Sequence, residues 1–450
     1  MESGSKFSGK LGFVLAATGS AVGLGNIWRF PYLAAHQSGG LFIPTYIILV
    51  IFVGFFLSIT ETAIGRKTGR SALTAFGTIK PGKNWFGLIP AIVPVIILPY
   101  YSVVGGWVVK YLGAYIAGNS SSLVLDSSYA AFISRPIEPI VCFLIYLACN
   151  AAIVLLGVQK GIEKASCIMM PTLFVLCTGI AIYTLTLPGA MEGMRYLFVP
   201  DFSQFSFETV LSAMSQMFYS LSLSMGVMIT YGAYMKKDIP MDSAMKQVCI
   251  LGSVIAIIAS VMVVPAVFAF SGGDPEALSK GAGLMFVTLP KVFASIPGGS
   301  VIGLLFFILV FFAALTSSIS LFEAIISELM EITKLSRAKA CLWVFLGSLV
   351  LGSLASLGFG PLKMIRILGF SIFDFCDFLS NNLLMPVGAL LICIFTAWVS
   401  GPGMVIDEVM LSSKFRSRKV YAVIIQYVAP LIIIAVMVTS ILEGLGILSF

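Results

Sequence analysis

Stretches of about twenty apolar residues recur along the whole chain, and short segments between them carry most of its Lys, Arg, Asp and Glu. A helix needs roughly 20 such residues to cross the hydrocarbon core of a bilayer. The 450 residues are 59% hydrophobic and only 10% charged, whereas a soluble domain carries about 25% charge. The chain therefore reads as an all-α polytopic membrane protein in contact with the lipid bilayer. Hydropathy, Gly/Pro breaks and charged loops predict eleven spans, at about 10–35, 41–65, 87–117, 137–157, 161–188, 207–235, 243–270, 299–332, 339–357, 368–398 and 419–447. No small-residue cleavage motif follows the first span, so it is expected to be retained.

Most of the 27 Lys and Arg fall in segments that would share one side of the membrane, among them Lys6, Lys10, Arg66, Lys67, Arg70, Lys236, Lys237, Arg337 and Arg418. By the positive-inside rule that side is the cytoplasm. The N-terminus is then inside, the C-terminus outside, and the expected location is the inner (plasma) membrane. The net charge of +7 follows from these loops and gives no reason to expect nucleic acid. No phosphate-cradling GxxxxGK[ST], zinc-ligand spacing or G-x-S-x-G elbow occurs. ATP-driven pumping and enzymatic hydrolysis thus lack support. The eight cysteines fall mostly within spans and read as small apolar fillers. His36, the single histidine, is expected to be structural.

One apolar run contains an interruption, "SAVGLGNIWRFPY" at 20–32. A helix that breaks at membrane depth frees backbone N–H and C=O groups, which is tolerated only where they face protein or a polar cavity. Freed carbonyls can coordinate a hard cation, and freed N–H groups can hold a carboxylate. Gly23 and Gly25 permit the unwound geometry, and Asn26 adds a side-chain oxygen. A kink packed through small residues would explain the glycines, but not Asn26 and Arg29 beside them. Five spans later "FYSLSLSMG" at 218–226 interrupts a second run. Transporters built as inverted repeats bind at two such discontinuous helices in equivalent positions.

The segments "AVGLGNIWRFPY", "SQMFYSLS", "ITYGAY", "AALTSSIS" and "FDFCDFLSNN" resemble the signatures of the neurotransmitter:sodium symporter family, its bacterial amino-acid members above all. The resemblance runs from about Lys10 to the end of the chain. It implies a LeuT-type fold of five plus five inverted spans with broken first and sixth helices, plus an eleventh span. The corresponding division is a cytoplasmic N-terminus at 1–9, repeats at 10–188 and 207–398, and an eleventh span with external C-terminus at 419–450.

The resemblance also implies ligands. One sodium site would comprise the carbonyls of Gly19, Val22 and Ala313 and the hydroxyls of Thr316 and Ser317, five neutral oxygens suited to a small hard cation. A second would use the Ala21 carbonyl, Asn26, Ser220 and the substrate's own carboxylate. The seventh span, which in the family adds an Asn or Asp oxygen, has Gly252 at the expected position and Ala256 one turn later, with no acid over 245–270. A weak site, one rebuilt around Ser253 and an empty one all fit, so one or two Na+ are expected. Tyr46, Gln216 and Ser220 match three positions of the family's chloride site; the fourth is missing, which argues against chloride.

For the substrate, the resemblance gives the carboxylate to Tyr101 and the N–H groups of Leu24 and Gly25. It gives the ammonium to the carbonyls of Ala21 and Tyr219 and to Ser222. Ile97, Tyr101, Tyr219, Met225, Ser318 and Leu321 would line the side-chain pocket, which is apolar with a few hydroxyls. No aspartate replaces Gly23, which favours an α-amino acid over a monoamine. Hydrophobic or aromatic side chains fit best, since a flexible methionine can yield to them.

Gates complete the expectation. Arg29, a charge within a span, needs a partner, and Asp377, with Asp374 at i−3, is the expected one. On the cytoplasmic side Glu331 would be the acid of the gate, near Tyr234, with Lys6 and Phe7 standing for the family's Arg and Trp. Glu61 is expected to bond backbone at the second break. The function implied is sodium-coupled import of hydrophobic or aromatic L-amino acids by alternating access. A proton-coupled or uncoupled carrier of the same fold and a non-transporting amino-acid sensor are the alternatives.

Overall fold

The computed structural model describes residues 6–37, 40–274, 277–278 and 282–444. The outermost parts of the two expected termini, 1–5 and 445–450, lie outside the described residues. The described residues are helical apart from loops, with one isolated bridge between Ile367 and Phe370. Among the described residues nine helices are long and apolar enough to cross a membrane, and Lys10–Ala21 with Gly25–His36, bent by 60° at their junction, can make a tenth span. The helices Phe207–Ser220 and Val227–Ala233 fall at the remaining expected span. Each of the eleven expected spans coincides with one of these within a few residues. Sequence reading did not identify the short helices in the connections, such as Ala72–Ile79, Ala190–Phe198 and Gly403–Met410. Helices of one to three turns are held by packing rather than by intrinsic propensity.

Both breaks have local causes. In the first span the helical ladder ends at Ala21, and Val22 leaves helical geometry with ψ 88°. In the sixth, residues 221–226 unwind, with left-handed backbone at Ser222 (φ 49°), Ser224 (φ 61°) and Gly226 (φ 67°). A non-glycine residue in that region costs of order 1–3 kcal/mol, so the two serines need outside support. Everything over 220–233 is buried, as unsatisfied backbone at membrane depth requires.

That support comes from the second span. The Ser224 N–H donates to Glu61 Oε1 at 2.8 Å. Gly65 and Gly232 then let the second span and the half-helix Val227–Ala233 touch backbone to backbone. A Cβ on Gly65 would strike the Ile229 carbonyl, and one on Gly232 the Thr62 backbone. Deeper on the same face Arg66 Nε pairs with Glu408 at 2.8 Å and Arg66 Nη1 donates to the Ile239 carbonyl at 3.0 Å. This buried pair ties the C-terminal end of the second span to the helix Gly403–Met410.

Candidate functional site

The two breaks face each other and the eighth span. Ser317 Oγ lies 3.2 Å from the Gly19 carbonyl and 3.0 Å from that of Ser20. The backbone of Gly19 reaches Thr316 so closely that an added Cβ would stand 3.1 Å from the threonine Cβ. Thr316 Oγ1 lies 3.2 Å from the Ala313 carbonyl. Gly19, Ala313, Thr316 and Ser317 thus gather, and Val22 begins the unwound turn beside them. The oxygens are neutral, which suits a monovalent cation without burying an acid.

Asn26 and Ser220 meet across the breaks, with the Ser220 hydroxyl donating to Asn26 Oδ1 at 2.9 Å. Gln216 Nε2 donates to Ser220 Oγ at 2.9 Å and to the Gly25 carbonyl at 3.3 Å, which also accepts the Phe30 N–H. The Tyr46 hydroxyl faces Ser220 and Ser253. Gly252 points toward Ala21, and the nearest atom to a built Cβ is the Ala21 Cβ at 3.9 Å. The glycine therefore leaves open space beside Ala21, at the position where the resemblance expects an Asn or Asp.

A cavity lies between these clusters, lined by Ser20, Gly23, Ile97, Tyr101, Tyr219, Ser222, Met225, Ser317 and Leu321. No charged side chain lines it. It has the room of a water or two, so an amino acid enters only if side chains give way. One end is polar. The Leu24 N–H, freed by the first break, donates to the Tyr101 hydroxyl at 3.1 Å. A Cβ on Gly23 would meet Ser317 Oγ at 2.8 Å and the Tyr101 hydroxyl at 3.0 Å.

Ser20, which sequence reasoning passed over, joins three spans. Its carbonyl accepts from Ser222 Oγ at 2.9 Å, and its hydroxyl meets Ser222 Oγ at 3.1 Å and Ser320 Oγ at 2.7 Å. The available signal was a serine beside each break. Ser318, expected in the pocket, does not line the cavity. Its hydroxyl is held by Asn150 Oδ1 at 2.6 Å and Tyr146 at 2.7 Å in the fourth span. Neighbours on a helix diverge by about 100°, so Ser317 and Ser318 cannot both face the first span.

The gates differ from expectation. Arg29 forms no ion pair with Asp377. Its Nη2 donates to Ser215 Oγ at 2.9 Å, with the guanidinium 6.0 Å from the Tyr219 ring centroid. Asp377 accepts from Asn381 at 2.7 Å, and Asp374 accepts from the Ser371 hydroxyl at 2.6 Å at the start of its helix. At the other expected gate Tyr234 donates to Glu323 at 2.7 Å, not to Glu331. Glu323 pairs with Arg337, which also donates from Nε to the Val154 carbonyl at 2.9 Å. Glu331 is engaged elsewhere, by Arg70 at 2.8 Å and by the Ser71 N–H and hydroxyl at 2.9 and 2.6 Å. Phe7 is buried edge-on against Phe13, Tyr231 and Tyr234, while Lys6 is exposed. The signal missed was Glu323 itself, an acid in an apolar helix.

A helical bundle whose two discontinuous helices meet around a small uncharged cavity has the architecture of a secondary transporter. The chain belongs to the sodium:neurotransmitter symporter family, whose family model matches residues 4–122 and 133–445. It is 34% identical to an uncharacterized sodium-dependent transporter, YhdH, of Bacillus subtilis, over 99% of this chain and 98% of that one. An uncharacterized sodium-dependent transporter of Haemophilus influenzae is also 34% identical, over 96% of this chain and 97% of its own. The crystal structure of MhsT in complex with L-phenylalanine superposes with a TM-score of 0.88 at 37% identity, covering 97% of this chain and 99% of that chain. The protein is thus a LeuT-fold, sodium-dependent membrane transporter and not an enzyme.

Proposed function

We propose that the protein is a symporter that carries hydrophobic or aromatic L-amino acids into the cell on the sodium gradient. The carrying observation is the cavity's division of labour. The Leu24 N–H and Tyr101 hydroxyl offer a carboxylate site at one end, and Ile97, Met225 and Leu321 give an apolar wall. The ammonium would take the carbonyls of Ala21 and Tyr219 and the Ser222 hydroxyl. The phenylalanine bound in MhsT supports the class. Sodium would bind tightly at Gly19, Val22, Ala313, Thr316 and Ser317. It would bind more weakly at Ala21, Asn26, Ser220 and the substrate carboxylate, where Gly252 leaves a ligand out. Residues 10–188 and 207–398 are taken as the two repeats, and the N-terminus is taken as cytoplasmic in the plasma membrane. Arg29 and Asp377 would close the outer side, with Tyr101 and Tyr219 beneath them. Tyr234 and Glu323 would close the inner side.

The test is uptake of labelled phenylalanine and leucine into proteoliposomes with and without an inward sodium gradient. Uptake driven equally by a proton gradient in sodium-free buffer would favour the alternative carrier, and binding without uptake a sensor. A second reading concerns chloride. Ser253, facing Tyr46 beside Ser220, supplies a hydroxyl near the three that match the family's anion site. In that reading replacing chloride by gluconate lowers the affinity for sodium.

A further inference from the structure

The unwound segment 221–226 is flanked by two buried acids that the transport reading does not use. Glu61 of the second span is 1% exposed and Glu328 of the eighth 6%. Neither forms an ion pair among the described residues, where Arg66, Arg70 and Arg337 are taken by Glu408, Glu331 and Glu323. The two acids differ in their donors. Glu61 accepts the Ser224 N–H on Oε1 and leaves Oε2 without a hydrogen-bond partner. Glu328 Oε1 has no hydrogen-bond partner. It faces Gly226, lying 3.5 Å from the point a Cβ there would occupy, and the Pro90 carbonyl oxygen lies 2.9 Å from the same point. The residue four positions after Pro90 is Pro94, which has no N–H to give that carbonyl its usual helical bond. Two buried acceptors therefore converge on Gly226, and the Glu328 oxygen receives no hydrogen bond from the described residues. Such a site is costly unless one acceptor carries a proton, and of the two only the carboxyl can.

We propose that Glu328 is a proton-binding site, distinct from the sodium and amino-acid sites. Its carboxyl takes a proton from cytoplasmic water as the inner side closes, directs it toward the Pro90 carbonyl, and returns it when Gly226 and the half-helix Val227–Ala233 move away. Glu331 lies one turn on, held by Arg70 and Ser71. The second span brings Glu61. The half-helix, the loop helix Ala72–Ile79, the third span on either side of Pro90 and the tenth span around Gly388, which lies against Ser224 and Pro90, bring no Asp, Glu, Lys, Arg or His. Glu331 is partly exposed and the helix ends at Thr333, so the path to water is short. The inference rests neither on the choice of amino acid nor on the sodium count.

The test is infrared spectroscopy of the full-length protein in liposomes, together with amino-acid uptake at set inner pH. The expected result is a carboxylic-acid carbonyl absorption at neutral pH with a component that disappears in Glu328→Gln and persists in Glu61→Gln and Glu331→Gln. Pro94→Ala, which restores an N–H for the Pro90 carbonyl, shifts the band without removing it. Raising the inner pH slows uptake by the wild type, and Glu328→Gln flattens that dependence. Three results overturn the proposal: the same band in wild type and Glu328→Gln, an equal pH dependence in both, or a band that follows sodium or potassium concentration instead of pH. Should Glu328→Gln not fold, the Pro94→Ala spectrum decides, and a band indifferent to that change overturns the proposal as well.

Discussion

Replacing Tyr101 by phenylalanine removes one oxygen from the cavity and leaves its shape intact. In the free protein that oxygen accepts the Leu24 N–H, and Tyr101 is only 4% exposed. The variant would therefore leave a buried donor without a partner, at a cost of about 1–3 kcal/mol. When an amino acid binds, its carboxylate takes that N–H and the cost is relieved. The bond from the tyrosine hydroxyl to the carboxylate is lost outright, worth about 1.5–3 kcal/mol. Relief of roughly 1 kcal/mol against that loss leaves a net weakening of about 0.5–2 kcal/mol, or roughly 2- to 30-fold in affinity. The measurement is equilibrium binding of labelled phenylalanine at saturating sodium, for wild type and Tyr101→Phe, with phenylalanine amide as competitor. The amide is expected to compete poorly in the wild type. Equal affinity of the two proteins, or equal competition by amide and free acid, would refute the carboxylate assignment.

Three further outcomes are expected. Ser317→Ala removes an oxygen that faces both Gly19 and Ser20 and should raise the sodium concentration for half-maximal uptake about 10- to 100-fold; an unchanged sodium curve would contradict the site. Gly252→Asp places a carboxyl in the open space near Ala21 and should tighten sodium binding by roughly tenfold. That is about 1.4 kcal/mol, the part of a Coulomb term of about 4 kcal/mol left after desolvation; calorimetric sodium titration checks it, and weaker binding would argue that the site takes no ion. Glu408→Ala leaves Arg66 buried without its carboxylate and should cost about 3–5 kcal/mol, seen as a lowered melting temperature of the purified protein in detergent.

The spans were legible because each is a long apolar run whose ends are marked by charge. The breaks were legible because glycine and serine gather where a helix should be uninterrupted. Partners across helices were much less so. Glu331 and Glu323 lie eight residues apart on one helix, and both offer a carboxylate near its C-terminal end. Which one meets Tyr234 depends on the depth at which the half-helix Val227–Ala233 ends, a quantity set by packing against the second span. The assignment of Ser318 failed similarly, because Asn150 and Tyr146 of the fourth span hold its hydroxyl. Nothing local to "AALTSSIS" announces that competition. Ser20 was hidden by its own ordinariness, since a lone serine in an apolar helix usually bonds its own backbone.

The absence of side chains between Gly65 and Ile229, and between Gly232 and Thr62, bears on how the molecule can change shape. Interlocking side chains act as a gear, letting helices slide through alternative rotamers while staying in contact. Bare backbone against bare backbone has no such teeth and no such slack. The second span and the inner half of the sixth must therefore travel as one welded plate, and the rotation has to be taken up at its hinge, residues 221–226. A single methyl at either glycine would act as a wedge under that plate, jamming the stroke while leaving every ligand of the cavity in place.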